Sequence, residues 1–314
     1  MVEAAQTGAG WRPQHDIELV AGTPAGGGQD RPARVLIDLL KDLVGVPVKL
    51  TNIPGRGGGN AWDYLAEHPG DPHVLAINSP TIITNRLLGE SDLDFAALTP
   101  LANLYTEYLV FVVRPDTAMQ TAQQLLTQLG NDPAGIRIAF ATAIGNMNHM
   151  ALAKITQQAG GDVTLLRTDV FDSARYAVAH VVEGHADLAV ITATSAVPEL
   201  DSGTLRAIAV SAPARMSGPF AQAPTWGETG VDCVVGTWRG VIGTGRMTGP
   251  QIAFWESALL TAVRGEPWRA ELTRHHWVDT YLGAAATRDF LGGELITMKS
   301  ALDALGLLAD TAGR

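Results

Sequence analysis

The sequence predicts an α/β fold built on a parallel sheet. Three observations predict it. Short apolar runs alternate with amphipathic helical stretches from Ile17 onward, glycine-rich turns stand at the ends of the first two runs, and the same strand and helix plan starts afresh after Pro115. At 314 residues the chain is long enough for about two domains with ample core.

The first apolar run, Ile17, Leu19 and Val20, meets the turn TPAGGGQD and then a helix from near Asp30 to near Gly45. Val35, Leu36, Leu39, Leu40 and Leu43 share one face of that helix, while Lys41 and Asp42 point away. Pro32 fits a first helical turn, and Asp30 suits an N-terminal cap or first-turn acid. Gly26, Gly27 and Gly28 lack Cβ atoms, so the turn can bend sharply and offer N–H groups to an anion at the positive end of the helix dipole. A turn that merely links strand to helix is the other reading. No lysine followed by Ser or Thr succeeds the glycines, and the dinucleotide glycine spacing is absent.

A strand at Val46 to Leu50, a second glycine turn at Gly55 to Gly59 and a helix from about Asn60 with Ala61, Tyr64 and Leu65 on its apolar face come next. His73 to Asn78 reads as a strand, after which Ser79 and Thr81 can cap a helix and aim hydroxyls above the strand ends. Ligands of a parallel sheet gather at the carboxyl ends of its strands, so these turns are candidates for one rim.

Leu109 to Val113 is a strand closed by Arg114 and Pro115. Strands follow at Ile136 to Phe140, Thr164 to Leu166, Leu188 to Ile191 and Leu205 to Val210, with helices at His149 to Ala159 and Ala174 to Val182. This second unit implies a second lobe. Residues 211 to 231 are rich in Pro, Gly and Ala and read as a surface excursion. Val234 to Ile242 is a strand carrying Trp238, and helices at Gln251 to Val263, Trp268 to Arg274 and Thr287 to Leu307 pack back on the first lobe. Crossings near 105 to 115 and 210 to 238 then form a hinge.

Composition excludes several classes. With 22 basic and 32 acidic residues the formal net charge is −10, so nucleic acid and anionic membrane are poor partners. An anion would have to be held by local donors. One cysteine, Cys233, excludes an internal disulfide framework and a multi-cysteine metal site, and the eight histidines form no HExxH pattern. No metal set, cofactor motif or nucleophile elbow is present. No apolar run reaches bilayer length, and the first sixteen residues lack a basic start and an apolar core. The expected location is periplasmic if an export signal has been removed, and cytoplasmic if the chain is native and full length.

Several segments together resemble one family, the periplasmic receptors of tripartite tricarboxylate transporters, also called the Bug family. They are AGGGQDRPAR, LTNIPGRGGGNAWDYLA, DFAALTPLANLY, GNMNHMALAKITQQAGGDV, VVEGHADLAV, GTLRAIAVSAPAR, APTWGETGV and WRGVIGTGRMTGP, in family order across nearly the whole chain from Ile17. The resemblance implies the type II periplasmic-binding-protein fold, two α/β lobes joined by crossing hinge strands. Its expected division is 1–113 plus 223–314 for the first lobe and 114–222 for the second. It also implies a small carboxylate held by backbone amides and small hydroxyls from both lobes, with no cofactor, in a monomer that delivers to membrane permease subunits. Carried over by position, the first-lobe contacts are Thr23, Pro24, Ala25, Gly26, Gly27, Gly28, Ser79 and Thr81. Those of the second lobe are Thr142, Gly145, Asn146, Asn148, Asp187, Thr192 and Thr194.

Two departures from the family pattern stand out. Val170, Phe171, Asp172 and Ser173 replace a run that commonly carries a lysine, reversing the local charge. If Asp172 faces the cleft it disfavours a second carboxylate there; it equally fits a place outside. Gly70, Asp71, Pro72, His73 and Val74 alter a surface turn without expected consequence.

The leading function is a non-enzymatic receptor that captures an organic acid by hinge closure. The alternative is a soluble carboxylate-processing enzyme, an isomerase, decarboxylase or hydrolase on the same scaffold, with Asp187, His149 and Glu107 as candidate acid and base groups. At His149 a packed, hydrogen-bonded histidine is the commoner outcome. A signalling module using the 211 to 231 segment is a third option.

Overall fold

The structure is a computed structural model that describes residues 10–171 and 173–308. The chain opens with β1 (Ile17–Ala21), α1 (Asp30–Val44), β2 (Val48–Asn52), α2 (Gly59–Ala66), β3 (Val74–Asn78) and α3 (Thr81–Leu87). The long strand β4 (Thr99–Val113) leads into α4 (Ala122–Asn131), β5 (Arg137–Ala141), α5 (Met147–Gln158), β6 (Arg167–Phe171), α6 (Ala174–Val182), β7 (Leu188–Thr192), α7 (Ala193–Asp201) and β8 (Arg206–Val210). The return strand β9 (Gly236–Gly243) precedes α8 (Gly249–Arg264), α9 (Glu266–Arg274), β10 (Val278–Gly283) and α10 (Ala284–Ala304).

Strand order along the sheet is β2-β1-β3-β9-β4-β7-β5-β6, with β8 and β10 also paired to β4. β1 runs parallel to β2 and β3, and β5 runs parallel to β6 and β7, so each half holds one parallel unit. Among the described strands, only β4 belongs to both halves. From Thr99 to Tyr108 it pairs with β9, and from Leu109 to Val113 with β7 and β8. The apolar cores divide the same way. Leu36, Leu40, Leu101 and Trp255 pack in one, while Phe111, Leu125, Leu152 and Trp226 pack in another. The molecule thus has two α/β lobes joined by crossing strands, the type II periplasmic-binding fold.

Local rules account for α1. Leu36 and Leu40 are fully buried on the face the periodicity marks, and Gly45 ends the helix at φ 77°, a left-handed geometry that costs glycine little. Asp30 is a first-turn acid and not the N-cap, which is Gln29.

Elsewhere tertiary context overrides local pattern. The strand expected at Thr164 to Leu166 is a 3-10 turn, because Asp162 accepts the Thr164 N–H at 2.9 Å, and the strand begins at Arg167. β4 starts ten residues before Leu109, at Thr99, since polar Asn103, Thr106 and Glu107 break its apolar run. Helices α4 and α7 and strand β10 add to the elements expected from periodicity.

Residues 211 to 231 are not a surface excursion. Phe220 and Trp226 are fully buried, and the Trp226 ring meets Phe111 edge-on with centroids 4.8 Å apart. The segment is irregular yet packed, so composition alone misreads it. Its indole N–H finds no partner among the described residues. Burying an unpaired donor costs about 1–3 kcal/mol, while burying the rings stabilises by more. Trp226→Ala should therefore destabilise the chain by about 3–5 kcal/mol in urea unfolding. Trp226→Phe should cost only about 1 kcal/mol, because it removes the unpaired N–H as well as ring volume. Equal losses in the two variants would contradict this reading of the packing.

Candidate functional site

A cleft of about 300 Å³ lies where the carboxyl ends of the parallel strands from both lobes face each other. From the first lobe it is lined by Thr23, Gly28, Gln29, Gly57, Ser79, Pro80, Thr81 and Thr84. The second lobe contributes Ala141, Thr142, Asn146, Met147, Asn148, Ala174, Thr192 and Ser195, and the crossing strand β9 adds Thr237 and Arg239.

Gln29 organises the first-lobe side. It is 2% exposed; its Oε1 accepts the Gly22 N–H at 2.8 Å, and its Nε2 reaches Gly57 O and Ser79 Oγ, each at 3.4 Å. Thr81 donates to Gly57 O at 2.7 Å, so across the 2.8 Å contact Ser79 must be the donor to Thr81. Three loops are thereby tied at one rim. The hydroxyls of Ser79 and Thr81 serve this chain, and neither caps α3.

The glycine turn is held from within. Gly26 N–H donates to Asp30 at 2.8 Å and Gly27 N–H to Pro24 O at 2.9 Å, so these two amides are already used. Thr23 Oγ1 accepts from the N–H groups of Gln29 and Asp30, both at 3.2 Å, and so caps α1 from six and seven residues upstream. Pro24, Ala25, Gly26 and Gly27 do not line the cleft; Thr23 and Gly28 do. The expected row of free glycine amides is replaced by a turn that positions a hydroxyl.

On the second-lobe side, Asn146 and Asn148 each donate to Ala141 O, at 2.6 and 2.7 Å. Asn146 also caps α5 by accepting the His149 N–H at 3.1 Å. His149 is 7% exposed, stacks on Phe140, and accepts the Gly145 N–H at 3.1 Å. Burial pushes its imidazole down to about 4, so the ring is neutral at pH 7. Gly145 stands behind the cleft, its Cα facing Leu88 and Leu302 at φ 77°.

Two expected contacts lie elsewhere. Asp187 precedes β7 at the amino end of the strand, opposite the rim, and grips the Arg137 guanidinium at 2.7 and 3.1 Å. Thr194 points toward α9, donating its hydroxyl to His275 O at 2.6 Å, while its N–H donates to Glu107 at 3.1 Å. Glu107, His149 and Asp187 are all absent from the lining, so the acid and base groups of the enzyme reading do not meet in this cleft. Asp172 lies outside the described residues.

Arg239, like Gln29, is a cleft residue that sequence reasoning missed. It is the sole charged side chain of the lining among the described residues, and it reaches Gly28 O at 3.2 Å through Nε and Trp238 O at 2.9 Å through Nη1. Its remaining donors are available to a ligand. Among the described residues no carboxylate lines the cleft, and the N-terminal ends of α1, α5, α6 and α7 all contribute to its wall. A partly exposed cation beside helix N-termini favours an anion.

Asp30, just behind this wall, is 1% exposed. Burial opposes its charge, yet Arg34, the Gly26 N–H and the Asn52 amide outweigh it and draw the carboxyl down to about 2 from 3.8. A depressed folded value contributes stability present above the unfolded one and lost as pH falls through the folded one. That contribution is about 2 kcal/mol by linkage. The stability difference between wild type and Asp30→Asn should therefore shrink by about 2 kcal/mol from pH 5 to pH 2 in urea titrations. A difference constant over that interval would show that Asp30 is not held this way.

Residues 33–307 match the model of the tripartite tricarboxylate transporter family receptors. The protein of the tcbD-tcbE intergenic region of a Pseudomonas species is 29% identical over 205 residues, 63% of this chain and 59% of that protein, so the chain spans under two thirds of that relative. BugT of Bordetella pertussis is 26% identical over 244 residues, 76% of this chain and 73% of BugT. Among solved structures, the periplasmic binding protein BugD superposes with a TM-score of 0.77 at 18% identity, covering 94% of this chain and 99% of BugD. MatC from Rhodopseudomonas palustris with bound malate gives 0.76 at 20% identity, covering 92% and 99%. An adipate-bound protein of R. palustris gives 0.80 at 19%, covering 94% and 98%. At such identities the structural likeness is one of fold, and the family is carried by the sequence match. The chain belongs to the tripartite tricarboxylate transporter receptor family.

Proposed function

We propose that the cleft captures a small organic acid with one carboxylate on Arg239, and that the loaded receptor delivers it to the permease of a tripartite transporter from the periplasmic side of the membrane. The observation that carries this is the charge of the lining, one arginine and no carboxylate among the described residues, in a chain of net charge −10. The global field repels anions, so a cleft of the opposite sign marks a local purpose. Thr23, Gly28, Ser79, Thr81, Thr142, Asn146, Asn148 and Thr192 serve as the surrounding contacts. Relatives of the same fold carry malate and adipate, which supports a small acid as the ligand class.

Binding in this scheme couples to hinge motion. Contacts from both lobes form only when the jaws meet, so the acid stabilises the shut state by its differential affinity for it. We place the return crossing near Val235, later than the 222 expected from sequence, because Trp226, Val231 and Cys233 pack with Leu109 and Phe111 in the second-lobe core. The second lobe then runs from 114 to about 235.

Thermal unfolding against a panel of mono-, di- and tricarboxylates, with matched amides as controls, tests the reading. At a hundredfold excess over Kd a true ligand stabilises by about 2.7 kcal/mol. No saturable shift with any acid would overturn the proposal. Arg239→Gln should weaken the responding acid about 10- to 100-fold without loss of fold. Gly27→Val should also lose the shift while still unfolding cooperatively. A Cβ at Gly27 would lie 2.6 Å from Thr23 Oγ1 and 2.9 Å from Pro24 O, displacing the Thr23 hydroxyl from the cleft wall. An undiminished shift in that variant would remove Thr23 from the site.

A further inference from the structure

A second cavity, about 470 Å³, lies on the other side of the hinge strands. Side chains of a strand alternate between faces. Thr237 and Arg239 of β9 line the cleft, whereas Gly236 and Trp238 line this rear cavity together with Thr106 and Tyr108 of β4. Its walls are one face of α5, with Met147, Met150 and Ala153, and one face of α10, with Phe290, Glu294 and Ala301. The first wall belongs to the second lobe and the other to the first. Met147 borders both cavities and separates them.

The rear cavity is chemically the inverse of the cleft. Its surroundings are mostly apolar, and its charged lining residues are Glu294 and Lys154. Lys154 has its ammonium 3.5 Å from the Asp232 carboxylate, at the solvent side of the cavity. Glu294 has no such partner. Its Oε2 accepts the Trp238 indole N–H at 2.9 Å, and its Oε1 has no hydrogen bond among the described residues. Burial holds this carboxyl above its ordinary range, with the Trp238 bond offsetting only part of the effect. A half-buried carboxyl in a mostly apolar cavity, with no cation paired to it among the described residues, leaves one oxygen open to an ammonium group.

We propose that the rear cavity binds a small organic cation, a protonated amine on an apolar body, with the ammonium on Glu294 and the body between the methionines of α5 and the Trp238 and Phe290 rings. The two rings stand edge to face, centroids 5.7 Å apart, and offer the aromatic surface such a body prefers. The volume lies within the range of small-molecule sites. Because the walls come from different lobes, the amine would touch both sides of the hinge. This proposal is independent of what the cleft binds.

Calorimetric titration of the whole chain with phenethylammonium chloride tests it, with 2-phenylethanol as the neutral isostere. Saturable binding is expected, at least about tenfold tighter for the amine than for the alcohol. Glu294→Gln keeps an acceptor for the Trp238 N–H and removes the charge, so it should lose at least tenfold in amine affinity. Ala301→Phe fills the cavity and should lose a similar factor, whereas Arg239→Gln should leave the affinity unchanged. Equal affinities for amine and alcohol, or wild-type affinity in Glu294→Gln, would overturn the proposal. So would tighter amine binding in Arg239→Gln, the result expected if the ammonium sat in the cleft beside that guanidinium.

Discussion

The structure depends on the pairing of one strand. β4 is fifteen residues long and lends its first part to the first lobe's sheet and its last part to the second's. Strand hydrogen bonds fix the position of backbone atoms across a ladder but leave the twist between successive segments comparatively soft. A strand shared in this way holds two rigid cores together while allowing their relative rotation. β9 runs beside its first part over Thr99 to Tyr108, so the joint is a ribbon of two strands and not a single tether. The alternation of side chains along that ribbon then gives the molecule two unlike faces. Arg239 turns toward the cleft and Trp238 turns toward α10.

The polar groups of the cleft are committed to one another before any ligand arrives. Gln29, Ser79, Thr81 and Gly57 form one chain of hydrogen bonds, and Asn146 and Asn148 converge on a single carbonyl. Such networks keep dipoles in place, so a ligand meets an arranged surface and little reordering is needed. The charge at the centre is supplied by Arg239, whose backbone is set by the β4 and β9 register opposite Tyr105. Asp30 contributes from behind. Its carboxylate is enclosed by Arg34, Asn52 and the Gly26 N–H, which shapes the turn without presenting a negative group to the cleft.

Much of the fold was legible in the sequence where a local rule governs. The face of α1, its glycine stop, helix α6 and the strands β3, β5 and β7 follow from apolar period and turn residues, because each is decided within a few residues along the chain. The rule fails where distant partners set the outcome. The early part of β4 carries Asn103, Thr106 and Glu107, whose side chains bond Thr280 and the Thr194 N–H, partners that no local window contains. The segment 211 to 231 fails for the same reason, since its burial rests on Phe111 of another element.

The α/β class, the family order of the segments and the rim at the carboxyl strand ends were all readable along the chain. Those are properties of composition, period and motif. Which side chains line the cleft was set by the packing of the two lobes. That packing brought in Gln29 and Arg239 and left Asp187 at the far end of its strand. The physical reason is that a contact such as Arg239 to Gly28 joins positions 211 residues apart, and its existence depends on strand order and register, which spacing along the chain does not encode.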